Sequence, residues 1–163
     1  MTARIVRDWR RRILRPLLVV PLRRYFRSPS SAWAKDRVWR TAVSCLGWLD
    51  GDVDARMRTD QTIRVDTSDI IGRYLDYFGQ WEPHLTAWLG RTLVAGDVFV
   101  DVGANVGYFS LLASSLVGRD GLVVAIEPLG TTYAQLRANL DANHAANVRP
   151  VHTAVWDEDT TLQ

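Results

Sequence analysis

The sequence predicts an α/β fold with a parallel β-sheet, because three apolar runs are separated by helical segments. The runs predict strands near Val98–Val102, Leu122–Ile126 and Val148–Val155. Continuous apolar runs are typical of strands that are covered on both faces. A chain of 163 residues is long enough for one hydrophobic core. From its continuous apolar run, we expect the first of these strands to be buried on both faces.

Helices are predicted before and after the first strand. The later one lies near Val106–Val117, where apolar residues recur at the spacing i, i+3, i+4, i+7. The earlier one begins at Glu82-Pro83, since proline is favoured at the first position of a helix. The stripe that faces the sheet is expected to contain Phe109, Leu112, Ala113 and Leu116.

Polar and glycine residues follow the ends of the first two strands. The first strand leads into Asp101-Val-Gly-Ala-Asn-Val-Gly107, and the second ends at Glu127. Gly103 and Gly107 lack a Cβ, so the backbone can turn sharply and approach a ligand. In open α/β sheets, ligands bind outside the carboxyl ends of the strands. Two carboxylates there suit a ligand with ribose hydroxyls and an ammonium group, and S-adenosylmethionine is such a ligand.

A nicotinamide dinucleotide is the alternative ligand. Its motif, Gly-x-Gly-x-x-Gly, has a middle glycine where this chain has Asn105. Asp101 would face the pyrophosphate of a dinucleotide and repel it, whereas it can accept hydrogen bonds from an ammonium group. The residues favour S-adenosylmethionine over NAD. A nucleotide-binding module of the NAD type stays open, as does a βαβ unit whose carboxylates are only solvated strand ends.

The segment Asp101-Val-Gly-Ala-Asn-Val-Gly-Tyr-Phe-Ser-Leu-Leu112 resembles motif I of the FkbM-like methyltransferases, a class I group that uses S-adenosylmethionine. The resemblance covers about residues 61–163 and includes Gly79-Gln-Trp-Glu-Pro83, Ile126-Glu-Pro128, the Asn139, Asn143 and Asn147 pattern, and Ala154-Val-Trp-Asp157. It implies a Rossmann-like methyltransferase fold. It also implies methyl transfer to a small-molecule or glycan acceptor, at a hydroxyl of a sugar or natural product.

The same resemblance implies which residues bind the cofactor. Glu82 matches a position that would reach the amino-acid end of the cofactor, although the helix dipole also favours a carboxylate at a helix start. Asp157 matches a position that holds the adenine amino group, with a plain turn residue as the alternative. No catalytic residue can be named, and no metal site is expected. The expected cofactor-binding residues are Glu82, Asp101, Gly103, Asn105, Gly107, Glu127 and Asp157.

The length of the chain limits what the resemblance implies. The resemblance implies a sheet of about seven strands, as in class I methyltransferases. Only three strands are recognisable in this sequence. A Lys-Ile-Asp-x-Glu-Gly-like motif is expected on a fourth strand and is absent from the sequence. We therefore expect an incomplete domain, the amino-terminal part of a longer enzyme, which is inactive alone or is completed by a second chain.

Charge divides the chain into unlike parts. Residues 1–40 contain 12 of the 20 basic side chains and two acidic ones, a net charge of +10, whereas the remaining residues carry −8. We predict three segments: a basic, partly amphipathic helical segment at 1–40, a linking region at 41–94, and the amino-terminal half of the cofactor-binding domain at 95–163.

The basic segment has two interpretations. Apolar residues recur at every fourth position, at Ile5, Trp9, Ile13 and Leu17. Pro16 and Pro21 are expected to interrupt a long helix. One interpretation is a peripheral contact of residues 1–27 with anionic membranes. The other is a solvated or disordered basic extension, or a helix packed on the half of the domain that the sequence is expected to lack.

Location and other partners follow from composition. A single cysteine, Cys45, excludes an intrachain disulfide and fits a reducing cytoplasm. No nucleic-acid-binding module is recognisable, so no nucleic-acid partner is expected. We therefore predict a cytoplasmic protein, associated with membranes if the first interpretation of the basic segment holds.

Overall fold

The computed structural model describes residues 13–29, 32–46 and 49–157. The helices are α1 (Arg15–Arg27), α2 (Ala32–Leu46), α3 (Ile70–Phe78), α4 (Pro83–Thr92), α5 (Tyr108–Val117) and α6 (Gly130–Ala142). The strands are β1 (Asp52–Arg56), β2 (Thr62–Asp66), β3 (Val98–Val102), β4 (Leu122–Ile126) and β5 (Val148–Val151). Strands β1 and β2 form a two-stranded sheet, and β3, β4 and β5 form a second sheet.

The chain divides into two compact units. The first unit contains the described residues up to Arg56 together with Val65–Trp81. The second contains Met57–Arg64 and the described residues from Glu82 onward, and therefore the three-stranded sheet. The predicted linking region contributes residues to both units. Segment boundaries at residues 40 and 94 stay predictions.

An aromatic cluster forms the core of the first unit. The buried ring of Phe26, on α1, has its centroid between 4.8 and 5.9 Å from those of four other aromatic side chains. Three of these pairs are edge-to-face, an arrangement that places the positive ring edge against a negative ring face. The four partners are Tyr25, Trp39, Tyr77 and Phe78.

Helix α1 is continuous through Pro21 and has Pro16 in its first turn. The prediction that these prolines interrupt a helix is therefore wrong for Arg15–Arg27. Pro16 lies where a backbone N–H would have no helical partner in any case. The packing of the buried side chains of Val19 and Phe26 offsets the hydrogen bond that Pro21 cannot make. The earlier part of the amphipathic segment, before Ile13, lies outside the described residues.

The sheet of the second unit is parallel, with the order β3-β4-β5. Strands β3 and β4 have the predicted bounds, but β5 ends at Val151 rather than at Val155. Val151 is in register with Ile126, the last residue of β4. The Glu127 N–H still donates to the Val151 carbonyl at 3.1 Å, but the next residue, Pro128, has no N–H to donate.

The two faces of β3 have different surroundings. Phe99 packs against the cluster of Ala113, Val117 and Val123. Side chains alternate between the faces of a strand, and the other face of β3 carries Val98, Val100 and Val102, which are 65%, 52% and 61% exposed. Within the described part of the chain, the expectation that β3 is covered on both faces is therefore wrong.

Helix α5 begins at Tyr108, two residues later than predicted, and ends at Val117. Gly118 follows with a φ of +68°. On the predicted stripe, Leu112 and Ala113 are buried. None of the helices in the described ranges combines the length and apolar character that a bilayer crossing requires.

Candidate functional site

Asp101 and Glu127 lie at the same edge of the sheet. Strands β3 and β4 are parallel, with Asp101 in register with Ala125 and Val102 in register with Ile126. Glu127 directly follows, so the two carboxylates are at adjacent carboxyl ends, as predicted. Both are buried, with 9% of Asp101 and 5% of Glu127 exposed. Buried carboxylates need compensating partners. The candidate site therefore consists of these two carboxylates and the groups that bond to them.

The turn after β3 is bonded to the end of β4. The N–H groups of Gly103 and Ala104 both donate to the Ile126 carbonyl, at 2.9 Å. Gly103 and Gly107 have φ values of +77° and +97°, in the region that favours glycine. A Cβ on Gly103 would have no described atom within 4 Å, whereas one on Gly107 would lie 2.7 Å from Cδ1 of Leu136. The first glycine leaves open space in front of the turn, and the second allows α6 to pack closely.

Asn105 occupies the position of the middle glycine in dinucleotide motifs. Its backbone is left-handed, with a φ of +49°. Asparagine adopts this conformation more readily than most residues that have a Cβ. Its N–H donates to Oε2 of Glu127, at 2.9 Å. Asn105 is therefore compatible with the left-handed conformation at this position, and its backbone N–H connects the turn to the second carboxylate.

Glu127 is held by two backbone groups. Oε2 accepts from the Asn105 N–H, and Oε1 accepts from the Leu129 N–H at 3.0 Å. An ionised carboxylate offers about four acceptor positions. Each oxygen of Glu127 therefore keeps acceptor capacity for a ligand hydroxyl, and its orientation is set in advance.

Asp101 has a different environment. The Ser110 hydroxyl donates to its Oδ2 at 2.6 Å, and Ser110 is itself buried. Burial raises the pKa of Asp101 above its usual 3.8 and the neighbouring Glu127 raises it further, while hydrogen bonds from Ser110 act in the opposite direction. A cation near Asp101 would favour the ionised form. The site is therefore complementary to a positively charged ligand group.

Glu82 precedes α4, which begins at Pro83 as predicted. The Glu82 backbone is left-handed with a φ of +42°, and its exposed side chain makes no capping hydrogen bond. The Thr86 N–H donates to the Glu82 carbonyl at 2.9 Å, and the hydroxyls of Thr86 and Tyr108 lie 3.0 Å apart. Since Tyr108 directly follows Gly107, the start of α4 lies beside the turn.

Asp157 lies beyond the end of β5, with an exposed side chain. Among the contacts of the described residues, none joins Asp157 or Glu82 to Asp101 or Glu127. The structure thus brings together Asp101, Asn105 and Glu127 with the two glycines of the turn. The role of all seven residues in binding a cofactor stays a prediction.

Two polar residues near the site were not assigned by the sequence analysis. Ser110 fixes Asp101, and the Asn139 side chain donates to the carbonyl of Val106 in the turn at 2.8 Å. Both are buried. Each interrupts a buried helix face, as Asn139 does between Leu136 and Leu140. A polar residue in such a stripe was the signal that could have identified them.

Comparisons with known proteins find similarity over a range that includes the turn and both carboxylates. The profile of the protein-L-isoaspartate(D-aspartate) O-methyltransferase family matches residues 81–157. A protein-L-isoaspartate O-methyltransferase of Caenorhabditis elegans is 30% identical over 81 residues, which are 47% of this chain and 36% of that protein. The chain therefore spans about a third of the length of this curated relative.

Solved structures show the fold. TYW2 of M. jannaschii, in complex with AdoMet, is 21% identical, with 64% of this chain and 44% of that chain covered and a TM-score of 0.50. TYW2 of P. horikoshii, in complex with MeSAdo, is 17% identical, with 78% and 50% covered and a TM-score of 0.50. They confirm the predicted Rossmann-like α/β fold class. The family profile is similar to this chain over the part that contains the turn and both carboxylates.

Proposed function

We propose that residues 82–157 bind S-adenosylmethionine and form the cofactor-binding half of an O-methyltransferase. The orientation of Glu127 carries this proposal: its oxygens are fixed by the Asn105 and Leu129 N–H groups and keep acceptor capacity for two ribose hydroxyls. Asp101 supplies negative charge near an ammonium group. When bound, the cofactor supplies a methyl group activated by a positively charged sulfur.

The contribution of these residues is binding and orientation. Open space in front of Gly103 lets a ligand approach the backbone, and the hydrogen bond from Ser110 keeps the Asp101 carboxylate in one position. Holding two reactants in alignment removes much of the entropic barrier of a displacement reaction. The proposal therefore requires preorganised carboxylates at the sheet edge and names no general base.

Calorimetry with S-adenosylmethionine, S-adenosylhomocysteine and NAD tests the choice of ligand. We expect both sulfur ligands to bind more tightly than NAD. Glu127→Ala should weaken their binding by about 1.5–3 kcal/mol, because charge-assisted hydrogen bonds to ribose are lost. Asp141→Ala, which removes an exposed carboxylate from α6, should leave the affinity unchanged. Tighter binding of NAD would refute the proposal, and unchanged affinity in Glu127→Ala would make Glu127 a structural residue.

For the methyl acceptor, we propose a hydroxyl group of a sugar or small natural product. The FkbM-like resemblance of motif I supports this acceptor. The matched profile and the C. elegans relative are named for O-methyl transfer to protein L-isoaspartate. Their names support an oxygen acceptor but give a different acceptor group. Transfer of a labelled methyl group to sugars, polyols and an isoaspartyl peptide distinguishes them. A base-stable methyl ether supports the proposal, and a base-labile ester on the peptide alone would replace it.

We also propose that residues 1–27 make a peripheral contact with the anionic, cytoplasmic face of a membrane. Apolar side chains of α1 and the residue before its first turn are exposed, namely Ile13 (47%), Leu17 (66%), Leu18 (40%) and Val20 (42%). The first 12 residues contain five arginines and one aspartate. Arg15 and Arg23 are bonded to Asp76. The exposed Arg24 adds positive charge on α1, and the composition of the first 12 residues adds a net charge of +4.

Sedimentation with vesicles tests the membrane contact. The protein should sediment with vesicles of anionic phospholipid at low salt and be released as salt rises, because screening weakens the attraction. Leu17→Glu, at an exposed apolar position, should reduce this binding. Ser115→Glu, at an exposed position of α5, is the matched control and should not. Equal binding to neutral and anionic vesicles would refute the electrostatic part of the proposal.

A further inference from the structure

Two asparagines of α6 pair with the backbone of β2 inside the second unit. Oδ1 of Asn139 accepts from the Arg64 N–H at 2.8 Å, and its Nδ2 donates to the Arg64 carbonyl at 3.1 Å. Oδ1 of Asn143 accepts from the Thr62 N–H at 3.0 Å, and its Nδ2 donates to the Thr62 carbonyl at 2.6 Å. Each amide thus satisfies both backbone groups of one strand residue, as a neighbouring strand would.

The two asparagines differ in one contact. Nδ2 of Asn139 also donates to the Val106 carbonyl, at 2.8 Å, whereas the second donor contact of Asn143 is to the carbonyl of Asn139 within α6. Val106 lies between Asn105, whose N–H orients Glu127, and Gly107, which packs against Leu136. Asn139 is buried, so water cannot easily replace its hydrogen bonds.

We propose that Asn139 is a positioning residue for the turn at 103–107 and, through this turn, for cofactor binding. The inference rests on the function proposed above. By holding the Val106 carbonyl, Asn139 fixes the peptide unit between Val106 and Gly107. This restrains the backbone of Val106 and Asn105, and with it the direction of the Asn105 N–H that donates to Glu127. Without this bond the turn samples other conformations, and ordering it on binding lowers affinity.

The comparison of Asn139→Ala with Asn143→Ala isolates the contact with the turn. Both variants lose a pair of hydrogen bonds to β2, but Asn139→Ala also releases Val106. We expect S-adenosylhomocysteine affinity to fall about tenfold in Asn139→Ala and less than about twofold in Asn143→Ala. Amide hydrogen exchange at residues 103–107 should be faster in Asn139→Ala alone. Both measurements are made at a temperature where the unfolding curves show that each variant is folded.

A second variant covers the case in which Asn139→Ala does not fold. Asn139→Asp keeps an acceptor for the Arg64 N–H and loses the donor to the carbonyls of Arg64 and Val106. Asn143→Asp, which loses the donor to the carbonyls of Thr62 and Asn139, is its control. Equal effects at the two positions, or unchanged exchange in the turn, would overturn the inference. If the unaltered protein binds no S-adenosylhomocysteine, the proposed function fails. The exchange comparison then still decides whether Asn139 orders the turn.

Discussion

The two compact units are stabilised by different kinds of polar contact. In the first, the fully buried Asp76 bonds to the guanidinium groups of Arg15 and Arg23. In the second, neutral amides of Asn139 and Asn143 bond to backbone groups. A buried charge depends on its partners for compensation, whereas an amide that replaces backbone pairing carries no net charge. The buried Asp76 therefore depends on two charged partners, whereas the two asparagines satisfy backbone groups without any net charge.

Asn147 extends this pattern in the second unit. Its Oδ1 accepts from the Ser114 hydroxyl at 2.6 Å, and its Nδ2 donates to the carbonyls of Ser114 at 3.1 Å and Gly118 at 2.7 Å. The three asparagines of the predicted pattern thus all bond to backbone carbonyls. These hydrogen bonds connect α6 and the residue before β5 to neighbouring elements. They do not involve the carboxylates of Asp101 and Glu127.

Removal of the Asp76 carboxylate should have the largest effect. Asp76→Ala leaves two largely buried guanidinium groups without their carboxylate, and we expect a loss of about 3–5 kcal/mol in the free energy of unfolding. The control is Asp36→Ala, because Asp36 forms an exposed i,i+4 pair with Arg40. That change should cost at most about 0.5 kcal/mol. Denaturant unfolding measures both losses, and similar losses would contradict the importance of the buried Asp76 contacts.

The glycines of the turn should show intermediate effects. Gly107→Ala combines a positive φ with a contact to Leu136, and we expect a loss of about 2 kcal/mol in stability. Gly103→Ala has only the backbone strain and should cost about 1 kcal/mol. Its Cβ would enter the open space, so it should weaken S-adenosylhomocysteine binding more than its stability loss explains. Unfolding curves test the order of the two stability losses. Calorimetry tests ligand binding, and unchanged affinity in Gly103→Ala would show that the open space is not the ligand site.

The smallest effect is expected for Asp101→Asn and depends on pH. A raised pKa means that the folded state favours the protonated carboxyl. The protonated Asp101 carboxyl therefore contributes to the free energy of unfolding below the usual pKa of 3.8. This contribution is lost as the pH rises through the higher pKa of the folded state. Asp101→Asn should therefore gain stability relative to the unaltered protein between acid and neutral pH, while S-adenosylhomocysteine binding weakens. Unfolding at several pH values measures this gain, and a constant difference would contradict the electrostatic account.

Local patterns determined much of the second unit. The bounds of β3 and β4, the glycine turn and the start of α4 were all predicted from apolar runs, glycine spacing and a proline. They also placed Asp101 and Glu127 at neighbouring strand ends, because parallel strands share one carboxyl edge. Each of these features depends on residues close in sequence, so a single sequence contains the information.

Tertiary structure alone decided the remaining features. β5 ends at Val151, in register with the last residue of β4, and α1 is continuous through Pro21 because the packing of Phe26 outweighs one lost hydrogen bond. Ser110 meets Asp101, and Asn139 meets both Arg64 and Val106, over separations that no local pattern specifies. Periodicity identifies which residues share a helix face or a strand face, but it does not identify the element that packs there. The final position of a polar side chain depends on which distant backbone groups burial leaves unpaired.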